Sequence, residues 1–309
     1  MTTAPGPITV TTSAGPLSTA EVDQVLALAD TAAATDGTYP FSEQVVLQLR
    51  HGGGVHLLAR DSAGRVVGYG QLDLAGDPSA ELVVHPEARR AGIGRRLLAA
   101  AQERIPADRP PLRVWSHGDL PEAAATAQAL GFRRVRVLHQ LRRSLQEPIP
   151  EPVLPDGVQL RPFQPGVDDA QWLTVNARAF ADHPEQGRWT ADDLRMRMAE
   201  PWFDPEGFLL AVRSEDDRLL GFHWTKVHGP GNWHHGEPIG EVYVVGVDPA
   251  AHGTGLGTAL TLAGLRYLRD RGLEQVMLYV DDDNQPARRL YARLGFTAHA
   301  VDVMWQAAA

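Results

Sequence analysis

The 309-residue chain contains no cysteine. It can form no disulfide, no thiolate metal site and no cysteine nucleophile, so any thiol chemistry must come from a bound small molecule. No uninterrupted run reaches the roughly 18 apolar residues of a membrane span. The opening Met-Thr-Thr-Ala-Pro-Gly lacks the basic segment and apolar core of a secretory signal. Positive charge is also in deficit: 29 Lys and Arg against 38 Asp and Glu give a net charge of −9. That balance argues against a phosphate-tracking nucleic-acid surface while leaving room for a local pocket around one ligand. The expectation is a cytoplasmic, monomeric protein with neither nucleic acid nor membrane as partner.

What is present is ordinary for a globular protein, with 43% hydrophobic and 22% charged residues, in a length that suits two domains of about 150 residues each. Four prolines lie between Pro148 and Pro155, closed by Asp156-Gly157, and such a segment reads as a stiff connector. The expected boundaries are therefore 1–147, a linker over 148–157, and 158–309. On either side one pattern recurs. Glu81-Leu-Val-Val-His-Pro86 followed by Arg89-Arg-Ala-Gly-Ile-Gly94 answers Val244-Val-Gly-Val-Asp-Pro249 followed by His252-Gly-Thr-Gly-Leu-Gly257, at a spacing of 163. Leu130-Gly-Phe132 answers Leu294-Gly-Phe296 at 164, which indicates a duplicated domain.

Local signals give mixed α/β order in each half. After the second glycine loop, Leu256, Leu260, Ala263 and Tyr267 mark the buried stripe of a helix closed by Gly272. Gln275–Val280 reads as a strand, and Asp281-Asp-Asp-Asn284 as the cap of a helix starting near Gln285-Pro286. In the first half Ile93, Leu97 and Ala101 form the stripe of a helix that ends before Pro106.

A glycine loop running straight into a helix gathers backbone N–H groups and the positive helix end at one point, which suits a pyrophosphate; a tight turn without ligand is the alternative. No Gly-Lys-Ser/Thr follows, so it is not a Walker loop, and the glycine spacing does not fit a dinucleotide fingerprint. Two other features carry less than they suggest. His51-Gly-Gly-Gly54 has no Gly-x-Ser-x-Gly to accompany it and reads as a turn. His223, His228, His234 and His235 lack a helical His-Glu-x-x-His, and no metal is expected.

The full pattern is a strand ending in Asp-Pro, x-x-Gly-x-Gly, helix, strand, then Asn-x-x-Ala-x-x-Leu-Tyr-x-x-x-Gly-Phe. It resembles the GNAT superfamily of N-acetyltransferases. The tandem arrangement, with Gly240–Ala251 and Leu278–Asn284, is similar to the mycothiol synthase family within it. The resemblance implies two tandem GNAT domains of α/β (α+β) class, each a mixed, mostly antiparallel sheet flanked by helices. It implies acetyl transfer from acetyl-CoA to the cysteinyl amine of desacetylmycothiol, a cysteinyl-glucosaminyl-inositol. An acetyltransferase acting on another amine, such as an aminoglycoside or a protein N-terminus, and a non-catalytic acetyl-CoA sensor are the rivals.

Carried onto this sequence, the resemblance assigns acetyl-CoA contacts to Val245, Gly246 and Val247, to His252, Gly253, Thr254, Gly255, Leu256, Gly257 and Thr258, and to Asn284, Gln285, Pro286, Ala287, Arg288 and Arg289. In the first half it assigns them to Leu82, Val83 and Val84 and to Arg90, Ala91, Gly92, Ile93, Gly94 and Arg95. The family opens its pyrophosphate loop with Gln or Arg; Arg89 conforms and His252 departs. Acceptor contacts are implied for Asp36, Glu185, Lys226, Glu241 and Tyr279. For Asp36, in Thr35-Asp-Gly-Thr-Tyr39, a plain Asp-Gly turn is an equal reading.

Aminolysis of a thioester needs a neutral amine, a place for the oxyanion and a proton for the departing thiolate. An α-amine titrates at about 7.7 to 8.0, so the base has modest work to do. Glu241 is the expected base, with a solvated strand-end glutamate as the alternative; Tyr291 is the expected acid, with a core aromatic as the alternative. A backbone N–H of the Val245–Val247 strand is expected to hold the oxyanion, and Gly246 to mark the bulge that opens it. Counting back in the first half puts Ala127 at the place of Tyr291, Pro78 at that of Glu241 and Leu120 at that of Asn284. The first half is thus expected to bind acetyl-CoA without turning it over.

Overall fold

The computed structural model describes residues 7–183, 186–229 and 237–308. The chain divides into two compact units, residues 1–138 with 300–309 and residues 139–299.

In the first unit β1 (Thr9–Ser13) precedes α1 (Thr19–Asp36) and α2 (Glu43–His51). Ser18 and Glu21 cap α1 reciprocally, and Gly37 ends it in the left-handed conformation at φ +73°. Then come β2 (Val55–Arg60), β3 (Val66–Asp73), β4 (Ser79–Val84), α3 (Ile93–Gln102), β5 (Arg113–Ser116), α4 (Pro121–Ala129) and β6 (Arg133–Ser144). The β1-β2-β3-β4 meander is antiparallel, and β4 lies parallel to β5. One core cluster lies under α3, around Ile93, Leu97, Leu98, Leu57 and Leu72; another lies under α1, around Val25, Ala29, Leu58 and Tyr69.

The second half of the chain repeats the order: β7 (Val158–Pro162), α5 (Asp169–Ala179), α6 (Ala191–Met198), β8 (Phe208–Arg213), β9 (Leu219–His228), β10 (Ile239–Val247), α7 (Leu256–Asp270), β11 (Gln275–Asp281), α8 (Gln285–Arg293) and β12 (Thr297–Gln306). In the second unit the strands run β7-β8-β9-β10-β11, antiparallel except for the β10–β11 pair. Gly272 closes α7 at φ +82°, as expected. Its buried positions include Leu260, Gly264, Leu265 and Leu268, whereas Ala263 and Tyr267 of the expected stripe are only partly covered. The helix is covered along two sides, by the clusters around Leu262 and Leu265 and around Leu256 and Leu260, so its apolar face is wider than a single stripe.

The division falls elsewhere than the Pro-rich segment 148–157. Residues 300–309 belong to the first unit, where Val303–Gln306 pair antiparallel with Ser116–Arg113 of β5. Residues 139–147 belong to the second, where Leu145 N donates to Glu274 O (2.8 Å) and Arg143 to Leu294 O (2.5 Å). The outer edge of β5 presents backbone groups that need partners, and the end of the chain supplies them.

Candidate active site

In each unit the parallel pair at the centre opens like a V. β10 meets β11 at Gly240–Val276 and Glu241–Met277, and β4 meets β5 at Ser79–Arg113 and Ala80–Val114. Beyond those residues the strands part, freeing one edge of β10 and of β4 for an extended ligand. At the far end of each freed strand sits a glycine loop. Gly253 and Gly255 are left-handed at φ +78° and +86°; Arg90 and Gly92 repeat this at +66° and +77°. A non-glycine residue held there marks a conformation the loop imposes. The helical ladders begin with Ala259 N to Gly255 O and Arg96 N to Gly92 O, so the preceding amides of α7 and α3 have no intrahelical acceptor. This donor set fits a diphosphate. A Cβ on Gly257 would stand 3.6 Å from Val247 Cγ2, and one on Gly94 3.9 Å from Leu82 and Val84, so helix and strand end approach closely in both loops.

Around Glu241 the second unit gathers charged and aromatic side chains. β9 and β10 place Lys226 directly opposite Glu241 and His228 diagonal to it on the same face. Glu241 is buried, and its Oε2 lies 2.6 Å from His228 Nε2. The Lys226 ammonium stands 4.5 Å from the Trp202 ring and 5.1 Å from that of Tyr243. Arg197, also buried, lies 3.8 Å over Trp189 and donates Nε to the Tyr243 hydroxyl (2.8 Å). The bulge falls between Val242 and Val244, not at Gly246, which pairs regularly with Phe222. Gly246 is required for space: a Cβ would meet the Phe222 ring at 2.7 Å. The bulge also shifts the equivalence between halves by one residue. Following the ladders, Glu241 opposite Lys226 corresponds to Ser79 opposite Asp73, so Ser79 and not Pro78 stands in the place of Glu241.

Tyr279 shares the Glu241 face, two residues past Met277 on β11, and its hydroxyl accepts from Gln140 Nε2 at 2.7 Å. Tyr291 packs edge-on against Phe296, ring centroids 5.6 Å apart, and burial pushes its hydroxyl pKa up to about 12. The match to Ala127 is exact in the backbone, because Phe296 N donates to Tyr291 O as Phe132 N does to Ala127 O. Asn284 caps α8 by accepting from Ala287 N, whereas Leu120 gives α4 no side-chain cap. Of the helix residues assigned to acetyl-CoA, Arg288 is paired with Asp282 (2.7 Å) and Arg289 is exposed. Asp36 lies in the first unit, both carboxylate oxygens gripped by Arg89 at 2.7 Å. Glu185, His234 and His235 lie outside the described residues.

His223 is a core residue. It donates Nδ1–H to Leu260 O (2.8 Å), its ring fills the space over Gly264, and burial drops its pKa to about 4. In the first unit, by contrast, a buried cluster spans the V. His117, just past β5, meets Glu81 of β4 (3.3 Å) and Asp302 of β12 (3.0 Å), while Glu81 also accepts from Ser42 N (2.6 Å). Sequence spacing gave no sign of this cluster, or of the contacts of Arg197 and His228, because only the fold brings residues this far apart in the chain together.

Comparison with known proteins agrees with the architecture. Residues 172–296 match the acetyltransferase (GNAT) family model and residues 52–134 a GNAT domain model. A tandem GNAT protein from the clavulanic acid biosynthesis pathway superposes with a TM-score of 0.72 at 24% identity, over 97% of this chain and 98% of its own, and shares the fold. The mycothiol acetyltransferase of Thermomonospora curvata is 59% identical over 93% of each chain. That of Salinispora arenicola is 56% identical, again over 93% of each. The chain is a tandem GNAT acetyltransferase and belongs to the mycothiol acetyltransferase family.

Proposed function

We propose that the chain transfers acetyl from acetyl-CoA to the cysteinyl amine of desacetylmycothiol, and that the second unit performs the chemistry. The observation that carries this reading is a buried carboxylate, Glu241, seated where β10 and β11 part, on a strand that leads to a glycine loop opening onto a helix. Glu241 takes the proton of the amine, directly or through a water, and the nitrogen attacks the thioester carbonyl. A backbone N–H of Val245–Val247, on the freed edge of β10, holds the developing oxyanion. As the C–S bond breaks, Tyr291 donates its proton to the sulfur. With a pKa raised to about 12, the phenol stays protonated throughout the working range.

The diphosphate would rest on the amides of residues 253–258 and the rest of the nucleotide near residues 284–289. Lys226, Glu241 and Tyr279 share one face of the sheet and form the acceptor side. The first unit keeps an equivalent nest but has Ser79 and Ala127 at the two catalytic positions and an ionic cluster across its V. It serves as a binding scaffold over residues 82–84 and 90–95, and we read the whole as a cytoplasmic monomer.

The test is an acceptor panel: the cysteinyl pseudodisaccharide, an aminoglycoside and a peptide N-terminus, each incubated with acetyl-CoA while CoA release is followed. Preference for the pseudodisaccharide is expected. Faster turnover of another amine would replace the acceptor, and binding of acetyl-CoA with no turnover of any amine would make the chain a sensor.

A further inference from the structure

The backbone of Glu241 is fixed by ladders on both sides, opposite Lys226 on β9 and Met277 on β11, but these do not aim its side chain. Immediately before it is Gly240, and two residues on the ladder shifts at the bulge between Val242 and Val244. A glutamate has three side-chain torsions, and a general base must meet its proton within hydrogen-bond reach. Something must therefore hold the carboxylate. Lys226 faces it squarely across the strands, and its ammonium also lies against the Trp202 and Tyr243 rings. His228 is the diagonal neighbour at the last position of β9, with Nε2 2.6 Å from Glu241 Oε2 and both side chains only about a tenth exposed, 11% and 9%. An ionised carboxylate only accepts, so the imidazole donates Nε2–H, in the short range of a charge-assisted bond.

We propose that His228 is the positioning residue for the base: its Nε2–H fixes one oxygen of Glu241 and so orients the carboxylate toward the acceptor amine. The amine proton ends on Glu241 while His228 keeps its own, so no proton passes through the ring. The proposal rests on the reading of Glu241 as the base.

Its test is a set of variants assayed with acetyl-CoA and the cysteinyl pseudodisaccharide, or with whichever amine the wild type turns over fastest, so that an error about the acceptor does not affect the result. His228→Ala should lower kcat by about 10- to 100-fold, the scale of a misaimed catalytic group, with KM for acetyl-CoA unchanged. His228→Gln presents an amide N–H where Nε2 stood and should recover most of that loss. His228→Asn, whose amide mimics the position of Nδ1, should not. Should His228→Ala lose its fold, the Gln and Asn pair still decides, because both replace the ring with an amide. At pH 9, where the amine is mostly neutral and Glu241→Gln should keep a measurable rate, adding His228→Ala to Glu241→Gln should cost nothing further, since no carboxylate remains to be aimed. Equal losses in both backgrounds, equal behaviour of Gln and Asn, or wild-type kcat in His228→Ala would each overturn the positioning role. A Glu241→Gln enzyme as fast as wild type would instead remove the base reading beneath it.

Discussion

Arg89 and His252, 163 residues apart, make the same contact: Arg89 Nε donates to Val84 O at 3.2 Å, and His252 Nε2 to Val247 O at 3.1 Å. Each ties the first residue of its glycine loop to the end of the strand that precedes it. Because the carbonyl can only accept, His252 carries its proton on Nε2. The histidine therefore replaces the usual residue without loss of the tether.

If His252 only fastens the loop, His252→Ala should raise KM for acetyl-CoA by about 2- to 10-fold, the worth of one neutral hydrogen bond, with kcat little changed. His252→Arg should stay near wild type, since Arg89 shows the guanidinium reaching the same carbonyl. A large fall in kcat for His252→Ala would place the imidazole in the chemistry and contradict this account.

Replacing the buried carboxylate of Glu241 by Ala should lower turnover by about 10²- to 10⁴-fold, toward the smaller figure because part of the amine is already neutral. Raising the pH should restore some of the loss as more amine deprotonates. Turnover close to wild type from pH 6 to 9 would exclude the role, and a change confined to acceptor KM would make Glu241 a binding residue.

Tyr291→Phe removes one hydroxyl and keeps the ring that packs on Phe296. Its melting temperature should match wild type while kcat falls, by about 10²-fold or somewhat less because a thiolate leaves readily. Burial raises this hydroxyl to about 12, so the acid form is the one present at every working pH. The wild-type alkaline limb of kcat should therefore owe nothing to Tyr291, and removing the hydroxyl should not shift it. An unchanged kcat in Tyr291→Phe would leave the residue a core aromatic.

The duplicated order, the glycine loops, α7 and α8 were legible because each is written in consecutive residues: Gly272 after a periodic run, Asn284 before Gln285-Pro286, paired glycines at one spacing. What was not legible depends on contacts between distant residues. The bulge before Val244 has no marker residue, and it moved the counterpart of Glu241 from Pro78 to Ser79. The exchange of chain ends was hidden because β6 runs unbroken from Arg133 to Ser144 across the boundary, while the prolines at 148–155 punctuate a segment already inside the second unit. Asp36 read equally as an acceptor contact and as a plain Asp-Gly turn, and only the fold brings Arg89, 53 positions away, onto both its oxygens.

The His117 cluster should make the first unit's stability fall at alkaline pH. Burial alone would lower the imidazole pKa, but hydrogen bonds and charge from Asp302 and Glu81 push it up to about 10, above its unfolded value near 6.5. A raised histidine pKa contributes stability that is complete below about 6.5 and is lost as pH climbs through 10. His117→Gln should therefore melt several degrees below wild type at pH 6, and the gap should narrow between pH 7 and 10. A gap that does not change with pH would mean the ring acts only by filling space.

The two loops share a backbone but should not share a function. A side chain at Gly257 or Gly94 has room, since the nearest heavy atoms to a Cβ there are 3.6 and 3.9 Å away and neither residue is left-handed. Both Gly257→Glu and Gly94→Glu should consequently fold, each placing a carboxylate beside the amides that would receive a diphosphate. Like charges at that distance oppose one another strongly, so acetyl-CoA should be expelled from whichever loop is altered. Two working sites would lose about half their activity in either case. With Glu241 and Tyr291 in one unit and Ser79 and Ala127 at the matching places in the other, Gly257→Glu should abolish acetyl transfer and Gly94→Glu should retain most of it, with circular dichroism confirming both folds. If Gly94→Glu were the inactive variant and Gly257→Glu the active one, the chemistry would belong to the first unit, and Glu241 and Tyr291 would lose their assigned roles together.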